Sequence, residues 1–119
     1  MRDFRNLQIW SRSHGLTLRI YELALQFPRE EMYGLTSQIR RACASIPTNI
    51  AEGCGRETPA DFARFLQIAV GSASETEYLI LLARDLKYLN DNQYLELMDE
   101  IVSIKKMLIA FSKNIRTSH

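Results

Sequence analysis

Apolar positions recur along the chain at helical spacing. In the first segment, Leu7, Trp10, Leu18, Tyr21 and Leu25 fall on one stripe, and Ile9, Leu16, Ile20, Leu23 and Phe27 fall on a second beside it. The pattern predicts a helix from Leu7 to Phe27 that stops before Pro28, since the residue before a proline is pushed out of the helical region. His14 lies on the Trp10 stripe, where it reads as a core or interface residue rather than a ligand. A second helix is expected from Leu35 or Thr36, with Thr36 as N-cap, to Glu52 or Gly53. Its buried face is Leu35, Ile39, Ala42, Ile46 and Ile50, and Pro47 should kink it between Ala44 and Pro47. After a turn at Gly53, Cys54, Gly55 and Arg56, the residues Thr58, Pro59 and Asp61 read as N-cap, N1 and N3 of a third helix reaching Leu89. Asn90 and Gln93 have capping-box spacing and open a fourth helix to Asn114, with Asp99 and Glu100 early and Lys105, Lys106 and Lys113 late, as the helix dipole favours. Short connections make this an all-α, antiparallel up-down four-helix bundle occupying residues 1–119 as a single domain.

The apolar content exceeds what one bundle core accepts. The run Tyr78 to Ala83 passes more than once around the third helix. On the fourth, Leu97, Ile101, Ile104, Leu108, Phe111 and Ile115 form the buried face, while Leu95, Val102 and Ile109 recur every seven residues on another side. Tyr78, Leu81, Leu95, Val102 and Ile109 are therefore candidates for an interface between copies of the chain. A polar line on the second helix, Gln38, Arg41, Ser45, Asn49 and Glu52, borders its apolar stripe. Ser72 and Glu75 share a line with Ile68, Leu79, Leu82 and Leu86, so Glu75 is expected in a poorly hydrated setting. Arg41 or Arg40, with Gln38, would then satisfy it within the subunit or across an interface, and Glu75→Ala would cost more than about 2 kcal/mol.

Composition narrows the function classes. A chain of 119 residues holds one domain, and 46% apolar with 24% charged residues suits a soluble globular protein. Five Gly and three Pro are too few for a turn-rich sheet protein. The first fifteen residues scatter arginines among apolar positions and lack a secretory pattern, and the longest apolar run is too short to span a bilayer, so a cytoplasmic location away from membranes is expected. Cys43 and Cys54 are too far apart along a helix for a disulfide and read as reduced thiols. Neither His14 nor His119 follows a carboxylate by three residues, which excludes a di-iron carboxylate motif, and Gly53 and Gly55 lack the lysine and strand of a phosphate loop. No catalytic, metal or cofactor constellation is found, and the chain reads as a non-enzyme without a cofactor. Arg5, Arg12 and Arg19 are seven residues apart on the polar arc of the first helix and make a candidate ridge for RNA or DNA phosphates. The formal charge of only +1 and the surplus of acids over bases in residues 57 to 90 allow those arginines to pair with carboxylates instead.

The segment FPREEMYGLTSQIRRACASIPTNIAEGCGR from Phe27 to Arg56, followed by FARFLQIAVGSASE from Phe62 to Glu75, resembles the bacterial 23S rRNA intervening-sequence proteins, also called four-helix bundle proteins. Phe4, Leu7 and Trp10 fit as well, so the resemblance covers essentially the whole chain. It implies a cytoplasmic all-helical protein that assembles into a ring-like homopentamer without known catalytic activity, some members being encoded within insertions in ribosomal RNA genes. It also joins Gly53, Arg56 and Gly71 to Gln38, Arg41, Ser45, Asn49, Glu52, Ser72 and Glu75 as a polar network of the family motif. A related branch, the accessory variability protein of diversity-generating retroelements, is strongly basic and associates with nucleic acid and a reverse transcriptase; this chain departs from it in its charge of +1. Two functional expectations result: a homo-oligomeric assembly protein that displays a ring surface to a macromolecular partner such as a protein, and an RNA- or DNA-binding accessory factor that uses the arginine ridge.

Overall fold

A computed structural model of the protein describes residues 2–117, which leaves His119 outside the described residues. Four helices and no strand are found among them: α1 (Gln8–Ala24), α2 (Leu35–Cys54), α3 (Pro59–Asp85) and α4 (Asp91–Thr117), with short 3-10 turns at Phe4–Asn6 and Arg29–Glu31.

Helix ends follow their local chemistry. At α3 the Thr58 hydroxyl accepts the Asp61 amide at 3.1 Å, and at α4 the Asn90 carboxamide oxygen accepts the Gln93 amide at 2.8 Å while Gln93 Oε1 accepts the Asn90 amide at 2.9 Å. α1 ends at Ala24, three residues short of Phe27, because the approach to Pro28 tightens into i to i−3 bonds such as Phe27 N to Ala24 O at 3.1 Å. Thr36 is not the cap of α2; it is buried inside the helix. The Glu31 carboxylate accepts the Leu35 amide at 3.0 Å instead, and a Cβ at Gly34 would stand 2.7 Å from that carboxylate oxygen. α3 stops at Asp85 rather than Leu89, because Lys87 takes a left-handed φ of 66°. The Tyr88 amide then reaches back to Ala83 O and the Lys87 amide to Arg84 O, both at 2.8 Å, which is a Schellman closure built without glycine. Pro47 is accommodated inside a continuous α2. The Cys43 carbonyl that loses its amide donor there lies 3.4 Å from the Thr17 hydroxyl of α1, which shares its proton with Ser13 O at 2.8 Å.

The core takes one stripe from each helix: Ile9, Leu16, Ile20 and Leu23; Ile39, Ala42, Ile46 and Ile50; Leu66, Ala69, Ala73 and Ile80; and Leu97, Ile101, Ile104 and Leu108. Each large aliphatic side chain there contributes about 1.5–3 kcal/mol by leaving water. α1 packs on α2 and α4, and α3 packs on α2 and α4, so α1 and α3 stand diagonally across the bundle. The outer surfaces of α1 and α3 consequently lie on opposite sides of a rod measuring 46 × 23 × 20 Å. No described helix is long and apolar enough to cross a membrane.

Candidate functional site

The family-motif residues divide into a seam and an outer surface. Where α2 meets α3, Ser45 Oγ and Ser72 Oγ are 2.9 Å apart, and Asn49 Nδ2 donates to Ser45 O at 2.8 Å and to Ser45 Oγ at 3.0 Å. Small hydroxyls at this level let the two helices approach while partnering each other and the Asn49 amide nitrogen. Gly53 acts through space as well: a Cβ there would lie 2.8 Å from Phe62 Cδ1 and 3.0 Å from Phe65 Cβ, so glycine sets the distance between the end of α2 and the start of α3. Arg56 covers the Phe65 ring at 4.5 Å and lies 3.6 Å from Asp61.

The remaining motif side chains face outward. Gln38, Arg41, Glu52 and Glu75 are exposed, and their side chains have no hydrogen bond or ion pair among the described residues. Within a single chain the expected burial of Glu75 is thus corrected. On α3 it points away from the core beside Ile68, Gly71, Tyr78 and Leu86, whereas Leu79 of the same line turns inward. In a single chain Glu75→Ala should therefore change stability by less than about 0.5 kcal/mol.

The arginine ridge is neutralised from α4. Arg12 makes a forked contact with Glu100, at 3.1 and 2.5 Å, and reaches Ser103 Oγ at 3.0 Å. Arg19 binds Glu96 at 2.7 and 3.1 Å and pairs with Glu22 in its own helix. These contacts hold both guanidinium groups above their ordinary range, chiefly through the hydrogen bonds to Glu100 and to Glu96, and they hold the Glu96 carboxyl below its own. Arg5 pairs with Asp3 at 3.1 Å and lies over the Phe4 ring. The three residues accordingly do not form a free cationic line. Two acids one helical turn apart, Glu96 and Glu100, were the signal in the sequence for this pairing.

Unpartnered surface is apolar instead. Of the two α1 stripes, Ile9, Leu16, Ile20 and Leu23 enter the core, and Leu18, Tyr21 and Leu25 face out, Leu25 with 75% of its surface exposed. On α3, Ile68, Tyr78 and Leu86 are exposed and Leu82 is half-buried, while Leu79, Ile80 and Ala83 of the Tyr78 to Ala83 run turn inward. On α4, Leu95 and Ile109 are exposed, but Val102 packs against the core and breaks the seven-residue seam; Leu81 is half-buried. The α1 face is absent from the interface candidates read in the sequence. Next to it, Tyr21 of α1 and Ser37, Arg40, Arg41, Ala44, Ser45 and Thr48 of α2 line a groove along the outer side of α2, the α1–α2 groove, with the Arg40 guanidinium 5.3 Å from the Tyr21 ring centre.

Reactive chemistry is sparse. Cys43 and Cys54 are free thiols inside the bundle; burial pushes Cys43 up to about 11 against a small opposing effect of the Thr17 hydroxyl, and burial likewise raises Cys54. Among the described residues no group of three His, Cys, Asp or Glu side chains could hold a metal ion.

No match to this chain is found among curated proteins. It is similar to a crystal structure of a protein of unknown function from the S23 ribosomal protein family of Bacteroides thetaiotaomicron, with 31% identity, a TM-score of 0.81, and coverage of 88% of this chain and 95% of that one. The model of the 23S rRNA-intervening sequence protein family matches residues 5–110. With that match spanning most of its length and the seam, cap and core residues of the motif in place, the chain belongs to the 23S rRNA-intervening sequence protein family.

Proposed function

We propose that this protein is a non-enzymatic assembly unit: an antiparallel up-down four-helix bundle that associates with copies of itself, as a ring of five in the reading taken from its family resemblance, and presents the ring surface to a macromolecular partner in the cytoplasm. Opposed numbering of paired residues supports the antiparallel arrangement, Arg12 and Arg19 meeting Glu100 and Glu96, and Gln67 and Glu77 meeting Ser112 and Lys105. The observation that carries self-association is the pair of outward apolar stripes on α1 and α3. Leu18, Tyr21, Leu25, Ile68, Tyr78 and Leu86 are all exposed, although the core beneath them is complete. Surfaces of this kind mark contact sites in soluble proteins.

Sedimentation velocity across a series from about 0.1 to 50 µM tests the proposal, a range chosen to span common subunit affinities. A species several times heavier than 13.8 kDa is expected, and a monomer at every concentration would overturn it. The RNA- or DNA-binding reading, with kinship to the retroelement accessory protein, draws on Arg5, Arg12 and Arg19. Their pairing with Asp3, Glu100 and Glu96 favours the assembly reading over it.

A further inference from the structure

We infer that the outer face of α3 in one copy of the chain docks onto the α1–α2 groove of the next, with Glu75 entering beside Arg40 and Arg41 and the flanking apolar residues covering Leu18 and Leu25. This contact rests on the self-assembly proposed above and specifies its two faces.

Charge selects the occupant. The other carboxylates of α3 are matched within their own chain: Asp61 to Arg64 at 3.0 Å, Glu77 to Lys105 at 2.8 Å and Asp85 to Arg84 at 3.1 Å. Glu75 alone among the described α3 acids has no cation, and it stands in the middle of an apolar stripe. In the groove the situation is reversed. Arg40 lies over Tyr21 and Arg41 projects from α2, and neither meets a carboxylate among the described residues. A carboxylate without a cation and two cations without a carboxylate, each bordered by exposed Leu and Tyr, are complementary as apolar contact and as charge. Gly71 leaves room: nothing lies within 4 Å of where its Cβ would be, so one turn before Glu75 the stripe is open to the facing groove.

Position selects the symmetry. α1 and α3 stand diagonally across the bundle, and the groove runs along the outer side of α2 with Tyr21 of α1 at its edge, so the groove and the outer face of α3 are two different surfaces of the chain. Joining unlike faces leaves one of each kind open on every pair, so the contact repeats until a ring closes, whereas a face that paired with itself would stop at two copies.

Two variants test the contact. Leu18→Asp/Leu25→Asp damages the groove side and Tyr78→Asp/Leu86→Asp damages the α3 side, all at exposed positions. Each alone should be a helical monomer of 13.8 kDa by circular dichroism and light scattering, and an equimolar mixture should give a 1:1 heterodimer that grows no further, because one intact contact remains per pair. The inference is overturned if the Leu18→Asp/Leu25→Asp variant keeps the wild-type mass, which would mean that α3 pairs with itself or that another face is used, or if the mixture stays monomeric. A monomeric wild type removes the assembly reading too; an assembled wild type with an unaffected variant removes the contact alone. Should either apolar variant lose helicity, Glu75→Arg and Arg40→Glu/Arg41→Glu make the same test. Each should raise the concentration for half-assembly about tenfold or more, and mixing them should reverse most of the loss, since copies that alternate match charge at every contact but the one an odd ring leaves between like copies; no rescue on mixing overturns the pairing.

Discussion

Replacing Gly53 by alanine tests whether the end of α2 is held at its distance from α3 by the absence of one methyl group. The backbone at Gly53 is helical rather than left-handed, so conformational preference alone would make alanine stabilising, by up to about 1 kcal/mol in a helix interior and less in this last turn. Packing opposes it. The new Cβ would sit 2.8 Å from Phe62 Cδ1 and 3.0 Å from Phe65 Cβ, well inside the carbon–carbon optimum of about 3.5–4.0 Å. Phe62 has little room to retreat, since its ring stands edge-on to Phe111 at 5.7 Å with the Arg2 guanidinium 5.3 Å from its centre. Overpacking of this kind costs about 1–3 kcal/mol, which leaves a net loss of about 1–2 kcal/mol. For a chain of this size that is a fall in Tm of about 4–8 °C. Gly15→Ala is the control: nothing lies within 4 Å of its Cβ position in α1, and Tm should rise by about 2–4 °C. Thermal unfolding followed by circular dichroism at one fixed protein concentration reads both. An unchanged or raised Tm for Gly53→Ala would refute the packing argument.

Further expectations concern charge and reactivity. Iodoacetamide at pH 8 should leave Cys43 and Cys54 unmodified in the folded protein and alkylate both in denaturant; rapid native labelling would contradict their burial. Glu31 is held below the usual carboxylate range, first by the Leu35 amide and then by the Tyr88 hydroxyl. Its folded value lies below the unfolded one, so it adds stability above the unfolded value of about 4.3 and loses that contribution as pH falls through the folded value. Glu31→Gln should lower Tm near neutrality and flatten the decline below about pH 4.3; melts with parallel pH profiles would refute this. Glu22→Gln/Glu96→Gln/Glu100→Gln should free Arg12 and Arg19 and confer salt-sensitive retardation of structured RNA in a mobility gel. Equal retardation of wild type and variant at low salt would show that the ion pairs do not mask a phosphate site.

The sequence disclosed most of the fold where the determinants are local. Thr58 with Asp61 and Asn90 with Gln93 cap the helices their spacing predicts, and Leu35, Ile39, Ala42, Ile46 and Ile50 all enter the core. It misled where the determinant is tertiary. Both α1 stripes have the same period, and only the placement of α2 and α4 decides that Ile20 turns in and Leu18 turns out. The stop at Asp85 depends on a left-handed Lys87, and the α2 cap comes from a carboxylate four residues before Leu35. Of the candidate site, the Ser45–Asn49–Ser72 seam follows from small polar residues beside a core stripe. The exposure of Glu75 does not, because a rotation of α3 by a few tens of degrees separates a buried line from an open one.

The central claim, that the outer apolar faces of α1 and α3 are covered by further copies of the chain, is tested most directly by thiol footprinting. Single cysteines at Leu25 and Tyr78 can be labelled with a maleimide at increasing protein concentration, the two native thiols remaining silent inside the core. Labelling at both positions should slow together as assembly sets in, while a cysteine at exposed Asn92, off both stripes, keeps its rate. Rates at Leu25→Cys and Tyr78→Cys that match Asn92→Cys at every concentration would contradict the account.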